Sequence, residues 1–141
     1  MKKAQSLLAA LVLTLGVGAA SAFAQDATVT AHVPFDFTVG SSTFAAGDYT
    51  FSRLTEELWT FRNDDTGRAI TAIAGRFGSN QDKKEAELVF RQIGSTYFLS
   101  EVHRLGETTA LPPSKAERKM EREVARNDPK PQSVYVLASA R

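Results

Sequence analysis

His32 and His103 are the only imidazoles in the chain, and each has a carboxylate close by in sequence. His32 and Asp36 occupy polar positions of one alternating stretch, while Glu101 and His103 share a face of another. Two imidazoles and two carboxylates brought together by neighbouring strands would suit zinc or another divalent cation. Their spacing is also the ordinary period of a strand, and no helical His-Glu-x-x-His pair accompanies it. The expectation is therefore solvent-facing polar residues. His32, Asp36, Glu101 and His103 stand as metal candidates only, and no cofactor is implied.

Other chemistries find less support. The chain has no cysteine, which removes thiol nucleophiles, thiolate ligands, disulfides and lipidation of an N-terminal Cys. No serine sits in a Gly-x-Ser-x-Gly elbow, and neither histidine has a recognisable nucleophile beside it. Glu56-Glu57 reads as a solvated turn. Asn63-Asp64-Asp65 lacks the alternating ligands, central Gly and terminal Glu of a calcium loop. No Gly-rich loop links a strand to a helix, so the usual nucleotide signatures are missing. An enzyme is not expected; the alternative would be a hydrolase or metal-dependent enzyme using His103 and Glu101. Lys115, Arg118 and Arg122, on a charged segment near the C-terminus, are candidates for contact with a partner.

The elements that must position these residues are mostly strands. Odd positions from Val29 to Val39 are apolar and even ones polar except Pro34, a period of two that puts one face on a core. Pro34 cannot donate to a ladder, so it marks an edge, a bulge or a bend between two short strands. Gly40-Ser41-Ser42 and Ala46-Gly47-Asp48 turn the chain before Tyr49 to Ser52 alternates again. Leu58 to Phe61 follows, with Trp59 and Phe61 on one face. Asn63 to Gly67 has the chemistry of a hairpin loop, with Gly67 in the left-handed position. Ala69 to Phe77 reads as a strand bent at Gly75. Ala86 to Ile93 and Thr96 to Leu105 form a hairpin across Gly94-Ser95. Pro112-Pro113 stops the sheet, and Ser114-Lys115-Ala116-Glu117 is a capping box that opens a helix to about Arg126. Ala116, Met120 and Val124 give that helix a narrow apolar stripe, expected to lie over one end or open edge of the sheet. Asn127-Asp128-Pro129 ends it, and Val134 to Ala138 returns as a strand.

This pattern predicts a mainly β fold: an antiparallel β-sandwich or small open barrel, with one charged helix near the C-terminus. Residues 25–110 would form the β core, and 111–141 the helix and last strand on the same domain. The first 24 residues read as a signal peptide. Lys2 and Lys3 precede an apolar run from Leu7 to Ala20, and Ala22-Phe23-Ala24 supplies a cleavage site. Removing Lys2 and Lys3 turns the formal charge of +1 slightly negative, so no global field favours nucleic acid. The run is too short for a comfortable membrane span. Strands of an outer-membrane barrel need about ten residues of lipid-facing alternation, and only Val29 to Val39 approaches that.

Val33-Pro34-Phe35-Asp36-Phe37-Thr38-Val39-Gly40, followed by Ala45-Ala46-Gly47-Asp48-Tyr49-Thr50-Phe51, resembles a family of small, uncharacterised exported bacterial proteins. Leu88-Val89-Phe90, Tyr97-Phe98-Leu99-Ser100 and Ser114-Lys115-Ala116-Glu117-Arg118 are similar to later blocks of the same pattern. The family usually has proline where Ala46 stands here. The resemblance implies a secreted β-rich domain with a helical C-terminal segment, and brings no activity, cofactor or catalytic residue. The expected role is that of a non-enzymatic binding or structural protein in the periplasm or outside the cell. Its partner would be an envelope protein or a small ligand, with a ligand-carrying barrel as the alternative.

Overall fold

The computed structural model describes residues 28–79, 85–126 and 131–140. The expected signal peptide, and the helix-ending Asn127-Asp128-Pro129, lie outside them. Among the described residues the chain is mainly β, with one helix, and its strands form one sheet curled into an open half-barrel. The open-barrel form of the expectation is the one the pairing follows.

The alternating stretch at the start divides as its proline requires. β1 (Thr28–Val33) and β2 (Phe37–Val39) are separate strands, with Pro34 to Asp36 between them. β1 pairs with β4 (Gly47–Arg53), whereas β2 pairs with β3 (Ser42–Phe44) and lies in the other half of the sheet. The apolar set survives the corner: Val29, Val33, Phe37 and Val39 are all buried. β5 (Leu58–Asn63) and β6 (Ala69–Ile73) extend the first half beyond β4. The β5–β6 loop is built by Asn63, whose Oδ1 accepts from the backbone N–H groups of Asp65 and Thr66, while Gly67 takes φ 70°.

The second half holds β8 (Ala86–Ile93) and β9 (Thr96–Arg104), a hairpin turned by Gly94 at φ 59°. β10 (Glu107–Ala110) pairs with β9 and with β7 (Gly75–Ser79). Two stretches of the chain pair with both halves. β11 (Gln132–Ala140) pairs with β8 along residues 132–138, and with β1 through Ser139 and Ala140. The run from Ala69 to Ser79 pairs with β5 before Ala74 and with β10 after it.

The structure differs from the sequence expectation in four places. The break in that last run falls at Ala74, whose N–H donates to Glu57 O at 2.7 Å, rather than at Gly75. β2 joins β9 in parallel (Phe37 opposite Tyr97), so the sheet is not wholly antiparallel. β3 and β10 are strands too short to show a period. The fourth concerns α1 (Lys115–Val124), which is capped as expected, with both bonds of the Ser114–Glu117 box present. Its buried residue is Glu117, however, and Ala116 is exposed, with Met120 and Val124 half-buried. The helix lies against β8 through Glu117, whose carboxylate meets Arg91 at 3.4 Å, not through a purely apolar stripe.

The interior is filled. Tyr49, Phe51, Trp59, Phe61, Phe37 and Phe90 are each at most 2% exposed. Phe37 stacks on Phe44 and meets Tyr49 and Phe90 edge-on, joining both halves in one aromatic cluster.

Candidate functional site

Alternation fixes what each strand shows to the outside. In β8, Leu88 and Phe90 face the core, so Glu87, Val89 and Arg91 face out; in β9, Val102 faces in while Glu101 and His103 face out. Cross-strand pairing then puts Glu87 opposite His103 and Val89 opposite Glu101. A bulge between Val89 and Phe90 accommodates Ser100, whose hydroxyl donates to Val89 O at 3.0 Å.

The outward side chains of β8 and β9 are partly covered. The β4–β5 turn brings Glu56 and Glu57, the end of β6 brings Ile73, and Leu111-Pro112-Pro113 crosses beside β10. Together with Tyr135 of β11 they bound a cleft of about 980 Å³ over β8, β9 and β10. Its dimensions match those of small-molecule sites, and its lining combines apolar walls with a few ionisable groups. The proline pair explains the opening. Neither Pro112 nor Pro113 has an N–H, so β10 cannot continue along β6, and Leu111 N–H turns to Ser100 O at 2.8 Å.

His103 lies at the floor of the cleft. Its side chain is 7% exposed, its Nε2 is 2.6 Å from Glu101 Oε2, and its Nδ1 is 3.4 Å from Glu87 Oε2. The second contact is too poorly aligned for a hydrogen bond, and Nδ1 is buried without one. Glu101 keeps 41% of its side chain exposed, so this carboxylate joins the buried ring to the open cleft. Arg91, also on the lining, is occupied by Glu117. Burial raises the Glu117 carboxyl above its ordinary 4.5, an effect that Arg91 and the Ser114 N–H only partly offset.

The four metal candidates are not brought together. β1, carrying His32, is separated from β9, carrying His103, by β8 and β11. Three strand spacings amount to about 14 Å. His32 instead pairs through Nδ1 with Asp48 Oδ1 at 2.8 Å, in the open, with 69% and 61% of the two side chains exposed. Asp36 Oδ1 accepts from Ala46 N–H at 2.9 Å and thereby fixes the loop before β4. Of the candidate pairs only Glu101 and His103 meet, joined by Glu87, which sequence reasoning passed over. Its signal was available: Glu87 alternates with Leu88 on a strand expected to pair with the one bearing His103. Among the described residues no group of three His, Asp or Glu side chains is placed to hold a metal ion. Lys115, Arg118 and Arg122 are exposed on the helix, and Arg122 Nε donates to Arg118 O at 3.1 Å. No described helix is long and apolar enough to cross a membrane.

Comparison with family models, curated proteins and solved structures finds no match to this chain.

Proposed function

We propose that this is an exported, non-enzymatic binding protein of the cell envelope or exterior, and that it binds in the outer cleft over β8, β9 and β10. The observation that carries this reading is the contrast between a filled interior and a lined cleft outside it. Phe37, Tyr49, Phe51, Trp59, Phe61 and Phe90 occupy the space where a carrier barrel would keep its ligand. The cleft is about 980 Å³ and combines apolar walls with ionisable groups. Its histidine argues for binding over turnover. The polar side chains against His103 are carboxylates, and the nearby Ser100 hydroxyl is engaged with Val89 O. Export rests on the Lys2–Ala24 pattern.

Native mass spectrometry of the protein isolated from its host's envelope fraction and medium tests this reading. The expected species begins at Gln25 and carries a non-covalent mass that is lost on unfolding. An uncleaved chain confined to the cytoplasm, or a bare mass in every fraction, counts against it.

A second reading takes α1 as a docking element for an envelope protein, favoured by the solvent exposure of Lys115, Arg118 and Arg122. Co-purification lost in the triple variant Lys115→Glu, Arg118→Glu, Arg122→Glu, with an unchanged melting temperature, would support it.

A further inference from the structure

We infer that the cleft selects a small organic cation, an ammonium or guanidinium carried on an apolar frame. This rests on the binding role proposed for the cleft and adds the chemistry of its ligand. Charge complementarity and the shape of the cleft point to this ligand. Glu56, Glu57 and Glu101 all border the cavity, and the one guanidinium among its described lining residues, that of Arg91, is already held by Glu117. Neither Glu56 nor Glu57 has a basic partner among the described residues. Glu101 has only His103, bonded through one of its two oxygens.

Carboxylates left in this state around a partly enclosed, partly apolar space make the local potential negative, which concentrates cations and disfavours anions. The walls supply the other half of the recognition. Ile73 is 68% exposed and Tyr135 57% exposed, and Val89 and Leu111 lie deeper, so an apolar body has surface to cover while its charged end meets the carboxylates. A Tyr ring on the wall also suits a cation through its face. Beneath this, His103 holds Glu101 in place through the bond at 2.6 Å.

The experiment is an NMR titration of the whole mature chain with three probes of one shape: benzylamine, benzyl alcohol and benzoate. Benzylamine is expected to saturate, with amide shifts centred on β8, β9 and Leu111, and to bind roughly tenfold more tightly than the alcohol, benzoate being weaker still. In the double variant Glu56→Gln, Glu57→Gln, whose substitutions touch only side chains of an exposed turn, benzylamine affinity should fall roughly fivefold to tenfold. Equal binding of benzoate or the alcohol at the same residues overturns the cation inference and leaves the cleft as a binding site. Saturation by none of the three, nor by a lysine-bearing peptide, removes both. Saturation by a lysine-bearing peptide but not by benzylamine overturns the small-ligand assignment in favour of a protein partner.

Discussion

His32 and His103 make the same kind of contact, an imidazole nitrogen within 2.8 Å of a carboxylate oxygen, on the outer faces of the two halves of one sheet. Their surroundings have little in common. The face around His32 is a polar field: Thr28, Ser52, Thr60 and Thr71 stand in one row across four strands, and Thr50 and Arg62 reach Asp64 in the next. His32 and Asp48 themselves stay open, at 69% and 61% side-chain exposure. The face around His103 starts from the same alternation, but the Leu111–Pro113 crossing and the β4–β5 turn border it. Alternation decides which side chains leave the core; segments remote in sequence decide whether they reach water. A pair open to water contributes little, because solvent screens it, whereas an enclosed pair becomes costly to break once one member is removed.

The largest expected effect is a reference that strikes both halves together. Phe37→Ala removes the ring that joins Phe44, Tyr49 and Phe90, and should cost about 4 kcal/mol in urea unfolding. A loss under about 1 kcal/mol would mean that the halves do not share a core.

Between the two histidines the expected difference is smaller but separates the faces. His103→Ala leaves Glu87 and Glu101 facing a space without the ring and should cost about 2 to 3 kcal/mol, whereas His32→Ala should stay within about 0.5 kcal/mol. Equal losses in denaturant titrations of the two variants would erase the distinction drawn between the faces.

The smallest effect is a change of slope. Because burial raises the Glu117 carboxyl above 4.5, the folded chain holds that proton more tightly than the unfolded one. The stability that Glu117 contributes is therefore greatest below 4.5 and is lost as pH rises from 4.5 through the raised folded value. Glu117→Gln should gain on the wild type across that window, read as urea midpoints at acid and neutral pH. A gap that stays constant, or moves towards Glu, would contradict the desolvation argument.

Much of the fold is legible in the chain because its signals are local. The alternation from Val29 to Val39, the Asx-Gly loop from Asn63 to Gly67, the turn at Gly94 and the capping box at Ser114 each declare themselves within a dozen residues. Strand order does not, since nothing in Gln132–Ala140 states that it will lie between β8 and β1. The parallel pairing of Phe37 with Tyr97 is equally silent, because a three-residue strand has no register signal of its own. The helix misleads for a physical reason. Ala116, Met120 and Val124 mark a stripe, but the cap turns Glu117 towards Arg91, and a paired carboxylate takes the place an apolar side chain was expected to fill. The candidate site was half visible. Glu101 and His103 are neighbours on any strand, while the enclosure that separates them from His32 and Asp48 comes from residues far along the chain.

The position of β11 between β8 and β1 also sets an order of events. A polypeptide that emerges N-terminus first can form the β4–β5–β6 hairpins and the β8–β9 hairpin early, because their partners are close in sequence. The ladder between β8 and β1 has no occupant until residues 132–140 arrive. Until then the edges of β8 and β1 that β11 pairs with stay open, and the two hairpin groups share no ladder on that side of the sheet.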